Sequence, residues 1–123
     1  MQVPPFLLRR LYVKGSLRNS DDGFQFEMKN VLGSGYAEKL YPIVVDGEEL
    51  AEDDCSFVIE GSTEAQPFSA VTPERPFTLE MHKTTTIRCA GKRLEPGQHR
   101  VRMGFVVVGL GEMGFEVEDT IDG

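Results

Sequence analysis

Few side chains in this sequence have a type and spacing suited to chemistry, and the sharpest motif is a run of glycines. Gly109-Leu110-Gly111-Glu112-Met113-Gly114 matches G-x-G-x-x-G and follows the strand-like run Phe105-Val106-Val107-Val108. In a dinucleotide-binding unit such glycines let the backbone approach a pyrophosphate, and a helix opening at the last glycine presents its N-terminus to the charge. Beyond Gly114, however, Phe115 and Val117 alternate with Glu116 and Glu118 as residues of a strand do. The expectation is a β-hairpin loop whose glycines accept positive φ, with no cofactor.

His82 and His99 are the only histidines, and neither has a partner at a metal-ligand spacing such as H-x-x-x-H or C-x-x-C. No metal site is expected from them. His99 shares strand parity with Val101 and Met103, which predicts a partly buried ring. Cys89 would form a Cys/His pair if it met His99 across the 91–97 connection. No third group is identifiable to orient such a base, so a structural histidine is the favoured reading. Asp21-Asp22, Asp46-Gly47-Glu48-Glu49 and Glu52-Asp53-Asp54 are hard-oxygen clusters. None has the D-x-D-x-D-G spacing of a calcium loop, and all read as solvated turns.

The basic residues are unevenly placed. Arg88, Lys92, Arg93, Arg100 and Arg102 crowd one predicted hairpin, with Arg88, Arg100 and Arg102 at outward positions. Together with His99 they form the candidate anion site. The competing reading pairs them with Glu116 and Glu118 on the next strand, an interaction worth a few tenths to about 1 kcal/mol per pair.

The elements that must carry these groups are strands. Phe24, Phe26 and Met28 alternate with Gln25, Glu27 and Lys29; Phe77, Leu79 and Met81 alternate with polar neighbours; Val101, Met103, Phe105 and Val107 form a third row. A period of two places successive side chains on opposite faces of a sheet. A first strand is predicted over Phe6 to Arg18, with Leu11, Val13 and Leu17 inward and Gly15 allowing a bend. The turn Asn19-Ser20-Asp21-Asp22-Gly23 returns the chain through Phe24 to Leu32. Tyr36 to Val45 is a third strand in which Pro42 marks an edge or a kink. Asp46-Gly47 is a tight-turn dipeptide. Cys55 to Glu60, Phe77 to His82, Thr84 to Cys89, Gln98 to Val108 and Phe115 to Ile121 complete the series, with 61–76 the longest irregular segment. The fold class is all-β: a single antiparallel β-sandwich over residues 1–123, immunoglobulin-like in the broad sense, of eight or nine strands.

Leu94-Glu95-Pro96-Gly97-Gln98-His99-Arg100-Val101 resembles the Pro-Gly turn that opens a strand in immunoglobulin-like and fibronectin-like modules. The opening Pro4-Pro5-Phe6-Leu7-Leu8-Arg9-Arg10-Leu11-Tyr12-Val13-Lys14-Gly15-Ser16-Leu17-Arg18-Asn19, with Asp21-Asp22-Gly23-Phe24, resembles the start of small stand-alone prokaryotic proteins of unknown role. Some of these carry a hydroxymethylglutaryl-CoA reductase label. No Lys/Asp/His constellation maps onto such a reductase, so the resemblance carries over no active-site residue.

At 123 residues and 40% hydrophobic composition the chain can bury a core without disulfide staples. Cys55 and Cys89 fall inside predicted strands and are read as buried free thiols, with a bridge between facing sheets as the alternative. A net charge of −7 argues against a phosphate-tracking nucleic-acid binder. The N-terminus has prolines and no basic leader, and no stretch approaches the roughly 20 apolar residues of a membrane span. A cytoplasmic protein is the expectation.

Two function classes remain. One is a non-catalytic binding or assembly module acting through a sheet face or edge strand. The other is a small-ligand or anion-binding protein, enzymatic or not, centred on Arg88, Arg100, Arg102 and His99. Phe6-Leu7-Leu8 and Val106-Val107-Val108 are apolar at consecutive positions, hence on both faces if they are strands. Phe6, Leu7, Leu8, Val106 and Val108 are therefore the candidate interface, with a homodimer or another protein as partner.

Overall fold

The structure, a computed structural model, describes residues 3–122. In chain order its elements are α1 (Pro5–Leu8), β1 (Arg18–Asn19), β2 (Gly23–Lys29), β3 (Gly35–Leu40), β4 (Val44–Val45), β5 (Glu48–Glu49), β6 (Cys55–Ile59), β7 (Gln66–Pro67), β8 (Phe77–Leu79), β9 (Thr84–Ala90), β10 (Gly97–Val107) and β11 (Gly111–Ile121). Single 3₁₀ turns lie at Arg9–Leu11, Glu52–Asp54 and Phe68–Ala70.

Two antiparallel sheets form a sandwich. One runs β1-β2-β9-β6-β7. In the other, β10 pairs along its whole length with β11, and its opposite edge is shared between β3 and β4; β8 continues from β3, and β5 from β4. Alternation decides what each strand buries. Phe24, Phe26 and Met28 from β2, with Ile87 and Cys89 from β9, face Val101, Met103, Phe105 and Val107 from β10 across a single core. With no tryptophan in the chain, phenylalanine carries the packing: every Phe except Phe6 is buried, and the Phe57 and Phe77 rings lie 4.8 Å apart.

The predicted strand over 6–18 is corrected at its start. Pro5 stands at the first helical position, where its fixed φ and missing N–H cost nothing, and Phe6-Leu7-Leu8 form a helical turn. Leu8, Leu11 and Tyr12 then recur at the i, i+3, i+4 spacing of one helical face, and all three are buried. Consecutive apolar residues fit that spacing as well as a strand covered on both faces. Only after the helical turn does the chain extend: Tyr12 bridges to Met28, Gly15 bends the chain at φ 84°, and β1 joins the edge of β2.

The strand predicted over 36–45 is kinked. β3 ends at Leu40, Tyr41-Pro42-Ile43 crosses the break, and β4 resumes on the same edge of β10. This division, with short β1, β5 and β7, brings the strands among the described residues to eleven rather than eight or nine. β11 also begins earlier than expected, at Gly111, so the glycine motif divides between a turn at 108–110 and the strand that follows. Gly104 and Gly114 face each other across that hairpin. The Tyr41 ring covers Gly104, and a Cβ on Gly114 would stand 2.7 Å from the Met103 carbonyl oxygen.

The N-terminal segment is fastened to β11 through one carboxylate. Tyr12 Oη donates to Asp119 Oδ2 at 2.6 Å, and the same oxygen accepts the Gly15 amide at 3.0 Å. Burial alone would push the Asp119 carboxyl up, but the bonds from Tyr12 and the amides of Thr120, Leu17 and Gly15 hold it below the usual carboxylate range. Burial and the Asp119 hydrogen bond push the Tyr12 hydroxyl well above its ordinary value. Hydrogen bonds to charged groups contribute about 1.5–3 kcal/mol, so urea denaturation of Tyr12→Phe should show a loss of that size. An unchanged midpoint would mean that Asp119 does not hold this segment.

Candidate functional site

The start of β10 places the predicted basic residues. His99 points inward at the strand's beginning, while Arg100 and Arg102 alternate outward around buried Val101. The His99 ring is held at both nitrogens: Nδ1 lies 2.6 Å from Asp46 Oδ2, and Nε2 lies 2.7 Å from the Glu95 carbonyl oxygen. Both partners are acceptors, so the protonated imidazolium satisfies the two contacts together. The hydrogen bonds to Asp46 and to the Glu95 carbonyl accordingly raise the His99 pKa above its ordinary value.

Asp46 sits in the Asp46-Gly47 turn with both residues at positive φ, 51° and 84°, the geometry that closes a two-residue hairpin. Its second carboxylate oxygen accepts the Arg100 amide at 2.9 Å, tying the β4–β5 turn to β10. The Arg100 amide and the His99 side chain hold the Asp46 carboxyl below its usual range.

Arg100 is clamped by acids. Its Nη2 lies 3.1 Å from Glu118, the residue opposite it in register, and its Nε lies 3.7 Å from Glu116. This is the cross-strand pairing that competes with anion binding. Arg102 faces Glu116 in register and lines a cleft of about 570 Å³ floored by Gly104 and Gly114 and walled by Arg9, Tyr41 and Glu112. Arg88 does not join them: it stands on β9 of the other sheet, between Gln25 and Ser56, on the opposite outer face. Three of the four residues of the predicted anion site thus share one strand. The Cys89–His99 pair does not form, because Cys89 faces Cys55.

The chain matches, over residues 7–122, the family described as "Hydroxymethylglutaryl-CoA reductase, N-terminal domain". It belongs to that family. Comparison with curated proteins finds no match. In this chain the glycine motif forms the β10–β11 turn and the opening of β11; Gly109 and Gly111 have φ of 84° and 87°, and a strand follows them. Of the predicted interface residues, Phe6 is exposed on α1, Leu7 half-buried and Leu8 buried; Val106 is half-buried and Val108 is 56% exposed.

Of a second surface of the domain the sequence reading reached only Val108. The 30–34 and 80–83 loops and the 108–110 turn meet at one end of the sandwich. Val31, Leu32, Tyr36, Met81, Val108 and Leu110, each 38–56% exposed, all lie there. Buried Asn30 builds this end. Its Nδ2 donates to the carbonyls of Gly33 (2.8 Å) and Leu79 (2.9 Å), its Oδ1 accepts the Leu32 amide, and its own carbonyl accepts the His82 amide. Val108 N donates to Tyr36 O at 2.9 Å, joining the turn to β3. The signal available in the sequence was apolar residues beside Gly33-Ser34-Gly35 and Gly109, where a solvated turn would be polar.

The His99–Asp46 pair sets a pH dependence whose sign follows from the shifts. The raised His99 contributes stability that is complete below its unfolded value of about 6.5 and is lost as pH rises through its higher folded value. The lowered Asp46 contributes stability present above about pH 4 and lost as pH falls through its lower folded value. His99→Asn should therefore remove the drop in thermal midpoint that the unaltered protein shows on going from about pH 6 to about pH 8.5. Equal drops in both proteins would contradict the pair.

Proposed function

We propose that this chain is a binding and assembly domain that pairs through the apolar end of its second sheet, and that its partner is a second copy of itself. The observation that carries the reading is the cluster of Tyr36, Val108 and Leu110 with Val31, Leu32 and Met81 on loops held in place by Asn30. Exposed apolar side chains gathered at one end of a small domain, rather than scattered singly, are what an interaction surface requires. A fixed scaffold lowers the ordering cost of binding.

The rim supports a twofold pairing. Lys83 and Glu80 flank Met81 and pair with each other at 2.8 Å, so both signs stand beside the patch. A rim with both signs is self-complementary under a twofold axis. The reading extends to shape and place: an immunoglobulin-like sandwich in the broad sense, and a cytoplasmic location, supported by two buried free cysteines.

Sedimentation equilibrium at micromolar concentration should give a mass near twice 13.7 kDa, and Tyr36→Glu with Leu110→Glu should return it to 13.7 kDa with the far-ultraviolet circular dichroism unchanged. A monomer at every concentration would remove the self-pairing.

A second reading rests on Arg102. It makes no ion pair among the described residues and opens onto the Gly104–Gly114 cleft beside Arg9. An anion seated there would bind Arg102 and Arg9 rather than the Arg88, Arg100, Arg102 and His99 set. Calorimetric titration with inorganic phosphate should then give saturable binding that Arg102→Ala abolishes and Arg88→Ala leaves intact. Absence of heat at millimolar phosphate removes this reading without touching the first.

A further inference from the structure

Cys55 and Cys89 take no part in either reading, and their geometry is specific. They are direct partners on adjacent antiparallel strands, β6 and β9, and both side chains point into the core at 0% and 1% exposure. Antiparallel partners alternate between pairs that exchange backbone hydrogen bonds and pairs that do not. Glu60 N donates to Thr84 O at 2.8 Å, and counting along the register from that bonded pair makes Cys55–Cys89 a non-bonded one. The other side of β9 agrees: Gly91 N donates to Asp22 O at 2.8 Å, so the backbone groups of Cys89 turn toward Phe24 on β2. Cα atoms in a non-bonded pair stand about 4.5 Å apart, inside the roughly 4.4–6.8 Å that a disulfide spans.

The two thiols are neighbours in the core, and Cys55 Sγ lies 3.6 Å from the Ala51 carbonyl oxygen. The neighbouring Cys55 sulfur and burial push the Cys89 thiol well above its ordinary range, whereas Cys89 draws the Cys55 thiol below its own, which makes Cys55 the attacking sulfur and Cys89 the resolving one. Cys55 is fully buried, but it opens β6 directly after the Glu52–Asp54 turn, whose Glu52 and Asp53 are exposed, so local opening at that strand end would reach Cys55.

We propose that Cys55 and Cys89 are a gated dithiol that a disulfide-class oxidant converts to an intrachain bridge across β6 and β9. Cys55 loses its proton to solvent, and its thiolate attacks one sulfur of R–S–S–R, breaking that bond and releasing R–S⁻. The Cys89 thiolate, its proton also lost to solvent, then attacks the Cys55 sulfur of the mixed disulfide and releases the second R–S⁻. The two leaving thiolates take up protons, so the dithiol is oxidised by two electrons and the oxidant is reduced to two thiols. The bridge closes the 55–89 loop and, by limiting the unfolded chain, raises the thermal midpoint.

The test uses glutathione disulfide on the purified chain, with and without urea below the unfolding transition, followed by intact mass and a non-reducing peptide map. The expected product is a monomer lighter by two hydrogens with a Cys55–Cys89 linked peptide. Its formation is faster in urea, it has a higher thermal midpoint, and dithiothreitol reverses it. Cys89→Ser should instead accumulate a glutathione adduct on Cys55; where the serine impairs folding, Cys89→Ala serves the same purpose. Stable glutathione adducts on the unaltered chain, bridges between chains, or no conversion even in urea would each overturn the proposal.

Discussion

Strand β10 has two edges, and every other strand of its sheet takes its place from one of them. Its inner row, Val101, Met103, Phe105 and Val107, is buried and supplies one wall of the core. One edge is filled by β11 over eleven residue pairs; the other holds β3 near its end and β4 near its start. That division requires the break at Tyr41-Pro42-Ile43, because proline cannot donate to a ladder and the chain must leave the edge there. The facing glycines at 104 and 114 follow from the same crowding, since the Tyr41 ring lies over one and the Met103 backbone crowds the other.

The polar chemistry of those surfaces is largely spent inside the molecule. Asp119 holds Tyr12 and the amide of Gly15, Asp46 holds His99 and the amide of Arg100, and Glu118 holds Arg100. These contacts join segments far apart in sequence, so they act as fasteners for the N-terminus and for the β4–β5 turn. Arg9 Nε also donates to the Glu116 carbonyl at 3.2 Å, occupying part of the outer edge of β11 that would otherwise offer an unpaired ladder. The apolar loop end is different. Its side chains face solvent while Asn30 satisfies the backbone beneath them.

Where a two-residue period governs, the sequence was legible. The rows at 24–28 and 101–107 are buried as alternation requires, and Asp46-Gly47 makes its turn. The N-terminus was not, because a short apolar run suits one helical turn as well as a strand, and only the docking of Leu8 and Leu11 decides between them. The basic cluster was half legible. Parity along one strand placed Arg100 and Arg102 correctly outward, but nothing in the sequence says that β9 and β10 belong to different sheets, which is what separates Arg88 from them. The Tyr12–Asp119 and Asp46–His99 contacts span 107 and 53 positions, beyond the reach of any local pattern. Of the apolar end only Val108 was legible, because its other residues come from two loops, one turn and the start of β3, each too short to carry a period.

The account rests on that apolar end being a surface that pairs. Amide hydrogen exchange measured on the same protein at low and high micromolar concentration tests it directly. The account predicts that protection rises with concentration in 31–36, 80–83 and 106–110, while α1 and the outer face of β9 are unchanged. Protection that does not depend on concentration, or that rises at Pro5–Leu8 instead, would contradict it.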